Sequence, residues 1–103
     1  MTSSEGAALS ALQIANHGRD RYPAPKDQAE KLVLEAAELL GAISEHEHGR
    51  CLYGPVHELG QCPRVWHELA DAGLCLYALG NKVSIDPITA MRQLVDGDAR
   101  RFD

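Results

Sequence analysis

Two short acidic pairs, Glu35-Ala-Ala-Glu38 and Glu68-Leu-Ala-Asp71, stand out along this 103-residue chain. Acids three residues apart on a helix project from one side, about one turn from each other. Their neighbours Ala36, Ala37, Leu69 and Ala70 are small or apolar, so each acidic line runs beside surface suited to packing. If both segments are helices packed antiparallel, the four carboxylates converge. At ~4–6 Å and an effective dielectric of ~20, each charged pair then costs on the order of 3–4 kcal/mol before screening. Two readings stay open: the acids face water separately as solvated helix faces, or a cation holds them together. Oxygen ligands alone select a hard ion, Mg²⁺ or Mn²⁺, over zinc. Mg²⁺ keeps several waters and shares its remaining positions with substrate phosphates, so an acidic protein can hold an anionic nucleotide through it.

A second group, His46, His48, Cys51, His57 and Cys62, crowds into one stretch with the spacing H-x-H-x₂-C-x₅-H-x₄-C. Cys and His are the usual ligands of structural zinc. No tight Cys-x-x-Cys pair occurs, and a solvated, lid-like loop is the alternative. Glu45-His46-Glu47-His48 contains one ExxH, but di-iron bundles need two, and a second is absent. There is no GxxxxGK[ST] phosphate loop, and no Ser-His-acid arrangement is supported.

These residues need helices to position them, and the punctuation supplies four. The first is expected from about Ser4 to His17, capped by Ser3 or Ser4 and stopped by Gly18, with Ala8, Leu9, Leu12 and Ala15 at helical spacing. Pro23 and Pro25 make RDRYPAPKD an irregular connection. Asp27 and Glu30 suggest a capping box opening a second, Ala-, Leu-, Glu- and Lys-rich helix. Its Leu32, Val33, Ala36, Leu39, Leu40 and Ile43 form a wide apolar stripe. Gly49, Gly54, Pro55 and Gly60 break the pattern between about His46 and Cys62, a connection long enough to be functional or mobile. Pro63 fits the first turn of a third helix through Lys82; Asp86 and Pro87 form a cap and first residue for a fourth, with Ile88, Met91, Val95 and Phe102 near one face. Trp66 and Tyr77 are expected in the core or an interface, His67 on the surface or behind a ligand, and Cys75 as a small buried hydrophobe. No alternating β-branched run is long enough for a strand, so the fold class is all-α.

The length suits a single domain spanning 1–103. Ten Lys and Arg against fifteen Asp and Glu leave a formal charge of −5. That balance argues against nucleic acid and anionic lipid as partners. With 45% hydrophobic and 24% charged residues the composition is that of an ordinary globular domain. Three cysteines are too few for a disulfide framework, and Glu5 sits where a signal peptide needs positive charge. The longest apolar segment, Ala70 to Gly80, holds Asp71 and is too short to span a bilayer. A reducing, cytoplasmic location is the expectation. Two long helices with short flanking ones cannot enclose both a four-acid groove and a full apolar stripe. Helical hairpins are therefore expected to pair into a four-helix-bundle-type homodimer or homotetramer.

PKDQAEKLVLEAAELLGAI followed by ELADAGLCLYALGNKVSID resembles the MazG-like, all-α nucleoside triphosphate pyrophosphohydrolases. The resemblance extends upstream to Tyr22-Pro23-Ala24-Pro25-Lys26-Asp27 and downstream to Arg101-Phe102, covering most of the chain from about residue 20. It implies Mg²⁺ (with Mn²⁺ as a substitute) bound by Glu35, Glu38, Glu68 and Asp71, and cleavage of a nucleoside triphosphate to monophosphate and pyrophosphate. It further implies Glu38 as the group taking the attacking water's proton. Lys82 and Asn81 become candidates for phosphate and sugar contacts, and Arg101 or Arg100 a further one. Leu34 stands where many members of that family have a second Glu, and Leu94 and Asp98 fall where Lys and Asn are common. Those departures keep a second reading in view, a non-catalytic nucleotide- or partner-binding protein on the same scaffold.

Overall fold

The computed structural model describes residues 3–54 and 57–101, with side-chain surroundings defined for residues 5–54 and 57–97. It contains α1 (Ser3–Asn16), α2 (Pro25–Glu47), a 3₁₀ turn (Leu59–Gln61), α3 (Pro63–Val83) and α4 (Pro87–Arg101). No strand occurs among the described residues. The chain is all-α, as its punctuation implied.

Prolines set three of the four helix starts. Pro63 and Pro87 open α3 and α4 as expected, since a fixed φ suits the first turn and the missing N–H is not needed there. Asp86 caps α4, its Oδ2 accepting from the Thr89 N–H at 3.2 Å. At α2 the expectation is corrected. The helix opens on Pro25 behind an extended Ala24, not at an Asp27–Glu30 capping box. A residue before proline is pushed to extended backbone, and that alone breaks the chain two residues earlier. Asp27 falls in the first turn, where its charge complements the free amides.

Helices α2 and α3 run antiparallel, and cross-links fix their register. Gln28 Nε2 donates to Cys75 Sγ at 3.0 Å near one end, and Arg64 pairs with Glu45 near the other. Helix α1 lies along α3, where Asn81 Nδ2 donates to the Ala7 carbonyl at 3.3 Å and Gly6 receives the face of Tyr77. The α3–α4 corner turns on Ser84 at φ 59°, with the Ile85 N–H donating to the Gly80 carbonyl at 3.0 Å.

Among the described residues Ala42, Cys62, Val65, Cys75 and Ala78 are the buried hydrophobics, and half-buried Leu39, Ile43, Cys51 and Leu59 pack against the first three. The wide stripe expected on α2 splits. Leu32, Leu39 and Ile43 turn toward the hairpin, while Val33, Ala36 and Leu40 face outward. Trp66 is not in the core of the single chain: it is 70% exposed, its Nε1 donating to the Gly60 carbonyl. The fourth helix likewise leaves Met91 and Val95 exposed, and Phe102 lies outside the described residues. No helix among the described residues is long and apolar enough to cross a membrane.

Candidate metal and phosphate site

Glu35 lies on the covered side of α2, in line with Gln28, Leu39 and Ala42, because steps of seven, four and three residues return to one helix face. Glu68 and Asp71 share a face of α3 with Cys75, Ala78 and Lys82 for the same reason. Antiparallel packing therefore lays the acids against one another across the hairpin. Carboxylate oxygens of Glu35, Glu68 and Asp71 lie within 4.8 Å of each other. Glu38, one turn along α2, is the most exposed of the four but remains within hydrogen-bonding reach of Glu68. Glu35 itself is only 6% exposed.

One observation separates this nest from a solvated acidic face. The Oε2 atoms of Glu35 and Glu68 are buried without a hydrogen-bond partner. An unpartnered buried carboxylate oxygen carries a desolvation cost of a few kcal/mol, and a coordinated cation is one remedy. The other is partial local compensation, which the protein also provides. Lys31 Nζ sits 2.7 Å from Glu35 Oε1, and His67 Nε2 lies 3.1 Å from Asp71 Oδ2. His67 thus stands behind a candidate ligand, in agreement with its place in the sequence.

The electrostatics agree with crowding. Negative charge on Glu35, then partial burial, then Glu68 through its charge and a shared hydrogen bond, push the Glu38 carboxyl above the ordinary glutamate range. The hydrogen bond to Glu35 raises the Lys31 amine, which lies 5.8 Å from the Tyr22 ring centre.

Beside the nest opens a cavity of about 430 Å³, within the range of small-molecule sites. Glu35, Asp71 and His67 form part of its wall, and Arg19, Arg21 and Lys31 bring positive charge to it. The arginines come from the RDRYP connection, which sequence reasoning treated only as irregular chain. Its one legible signal was two cations and an aromatic ring placed just before the acidic helix.

The other phosphate and sugar candidates lie elsewhere. Lys82 is largely enclosed, its Nζ donating to Asp20 at 3.1 Å and to Gln28, so it ties the chain before α2 to the end of α3 at the cavity's edge. Burial disfavours the Asp20 carboxylate, yet the bonds from Lys82 and the Tyr22 N–H outweigh it and hold Asp20 below its usual value. Asn81 is bound to α1 through Ala7 and lines a separate, shallower cleft. The side chains of Arg100 and Arg101 lie outside the described residues, as does that of Asp98. No protein-family model, curated protein or solved structure matches the chain.

Proposed function

We propose that this protein is a Mg²⁺-dependent nucleoside triphosphate pyrophosphohydrolase of the MazG-like type, releasing a nucleoside monophosphate and pyrophosphate. One observation carries the reading: partnerless buried oxygens on Glu35 and Glu68 meet Asp71 beside a cavity that Glu35 and Asp71 line together with Arg19, Arg21 and Lys31. Acids paired with cations across one cavity suit a ligand that is itself a metal–polyphosphate. The oxygen-only donor set fits Mg²⁺ or Mn²⁺.

In this reading Glu35, Glu38, Glu68 and Asp71 hold the ion. When bound, it neutralises phosphate oxygens and lowers the pKa of a water molecule. Arg19 and Arg21 bind the phosphate chain by charge-assisted hydrogen bonds. Water adds its oxygen across the α–β phosphoanhydride, the bridging P–O bond breaks, and pyrophosphate leaves. Glu38, the most exposed of the four acids, accepts the water's proton. Clearing unwanted nucleotides from the pool is a role such a reaction would serve.

A panel of NTPs and dNTPs with Mg²⁺, followed by pyrophosphate release, tests the proposal. Turnover of at least one triphosphate in a 1:1 ratio of monophosphate to pyrophosphate is the expected result. No turnover, with triphosphate still bound, establishes the binding protein instead. The Lys31–Glu35 ion pair favours that second reading, since it neutralises one acid without any metal.

The assembly belongs to the same proposal: a homodimer or homotetramer of paired hairpins. The radius of gyration is 16.1 Å, against about 13 Å for a compact chain of this length. Accessible area is 7371 Å², against roughly 5,700 Å² for a monomer of this mass. The excess is of the order that one partner loses in a large stable interface. Val33 and Leu40 of α2, with Trp66 and Leu69 of α3, are at least 60% exposed and are the surface a second copy would cover. Sedimentation should give a dimer or tetramer, and Leu40→Lys with Leu69→Lys should give a monomer. A monomeric wild type at micromolar concentration refutes the assembly.

A further inference from the structure

Four of the five His and Cys residues noted in the sequence gather where α2 ends and the following chain leads into α3. Ligand atoms of His46, Cys51, His57 and Cys62 all lie within 4.8 Å of one another. Cys51 Sγ is 3.6 Å from Cys62 Sγ and 3.6 Å from His57 Nε2. The His46 and His57 rings are 4.8 Å apart at 56°. The fifth residue, His48, is engaged elsewhere, its Nδ1 bonded to the Ser44 carbonyl at 2.7 Å. We propose that His46, Cys51, His57 and Cys62 form a tetrahedral zinc site that staples the loop to both helices of the hairpin.

The distances carry the argument. Zinc bonds of ~2.3 Å to sulfur and ~2.0–2.1 Å to nitrogen give tetrahedron edges of about 3.8 Å for S···S and about 3.6 Å for S···N. The sulfur–nitrogen separation of 3.6 Å falls at its edge and the sulfur–sulfur separation of 3.6 Å lies about 0.2 Å inside its own. A disulfide, by contrast, needs sulfurs at ~2.05 Å, and both cysteines are free thiols. The Nδ1 atom of His46 is buried with no hydrogen-bond partner, so that ring lacks the partner a buried imidazole normally keeps.

Cys62 is fully enclosed and sits at the N-cap of α3. That position turns its sulfur toward Cys51 at the mouth of the loop, 3.6 Å away. Two thiolates and two neutral imidazoles also cancel the ion's charge, which suits an enclosed place. The site needs neither the acidic nest nor the hydrolase reading, because soft and hard donors select different ions.

Metal analysis of the full chain, purified without chelator and dialysed against Mg²⁺, tests this. Stoichiometric retained zinc is expected. Cobalt(II) exchanged into it should show thiolate charge-transfer absorption and the strong visible bands of a tetrahedral ion. Cys51→Ser is the first variant, because Cys51 is only half-buried, and His57→Ala is the second. Each should weaken zinc binding by more than the roughly 10–100-fold that follows loss of an outer-shell partner. Glu68→Gln should keep its zinc whether or not the protein hydrolyses triphosphates. Absent zinc, an octahedral cobalt spectrum, unchanged zinc in both variants, or a Cys51–Cys62 disulfide in the freshly purified protein overturns the site.

Discussion

Glu68→Gln is expected to lower Mg²⁺-dependent pyrophosphate release on the order of 100-fold or more, the scale lost when one charge-stabilising group is removed from an active site. The substitution keeps the shape and removes one charge from a nest whose oxygens already lie within 4.8 Å. The new amide can donate to Glu38, where two carboxylates now face each other. Without divalent ion the variant should therefore melt no lower than the native chain. Native protein should gain thermal stability from Mg²⁺ by mass action, and the variant should gain little.

The pH sign follows from Glu38. Its folded carboxyl is raised, so its contribution favours folding at low pH and is lost as pH climbs through that raised value. Mg²⁺-induced stabilisation runs the other way, fading on acidification through the same range, above that of an ordinary glutamate. Full activity in Glu68→Gln, or an equal response to Mg²⁺, would remove the nest from the mechanism.

Two glycine substitutions in α3 should shift stability in opposite directions. A Cβ on Gly80 would lie 2.6 Å from the Ile85 carbonyl oxygen and 3.0 Å from Pro87 Cδ, so the α3–α4 corner must open to admit it. Overpacking of this kind costs about 1–3 kcal/mol. For a domain of this size each kcal/mol lowers Tm by roughly 4–8 °C. Gly73 meets nothing within 4 Å and lies in the helix interior, where Ala is favoured by roughly 0.5–1 kcal/mol. Thermal melts of Gly80→Ala and Gly73→Ala should move down and up respectively. A rise in both would mean that helix propensity alone governs both sites.

What could be read in advance followed from short-range chemistry. Proline at a first helical turn marked α3 and α4, with aspartate just before it at α4, because those effects act within four residues. The i, i+3 acids were legible for the same reason, and antiparallel packing brings Glu35, Glu68 and Asp71 together. Which side of α2 is covered was not legible. Its stripe was wide enough for two faces, and only the packed neighbour decides that Leu39 goes in and Leu40 out. Lys82 looked free for phosphate because Asp20, its partner, lies 62 residues away. Arg19 and Arg21 carry no periodicity, so their place at the cavity depends on how the chain folds back. The His and Cys ligand set escaped a spacing test because one member ends α2, two lie in the loop and one begins α3.

The Asp20–Lys82–Gln28 knot and the gathered cysteines and histidines sit at opposite ends of one hairpin, with the acids between them. From Gln28 to Glu35 is roughly 10 Å along the helix axis, and from Glu35 to His46 roughly 16 Å. Like charges at mid-span push the two rods apart as a load bows a beam, and fastenings at both supports resist the bow. Cutting either support should widen the gap at its centre. Mutations remote from the carboxylates then act on their spacing through leverage.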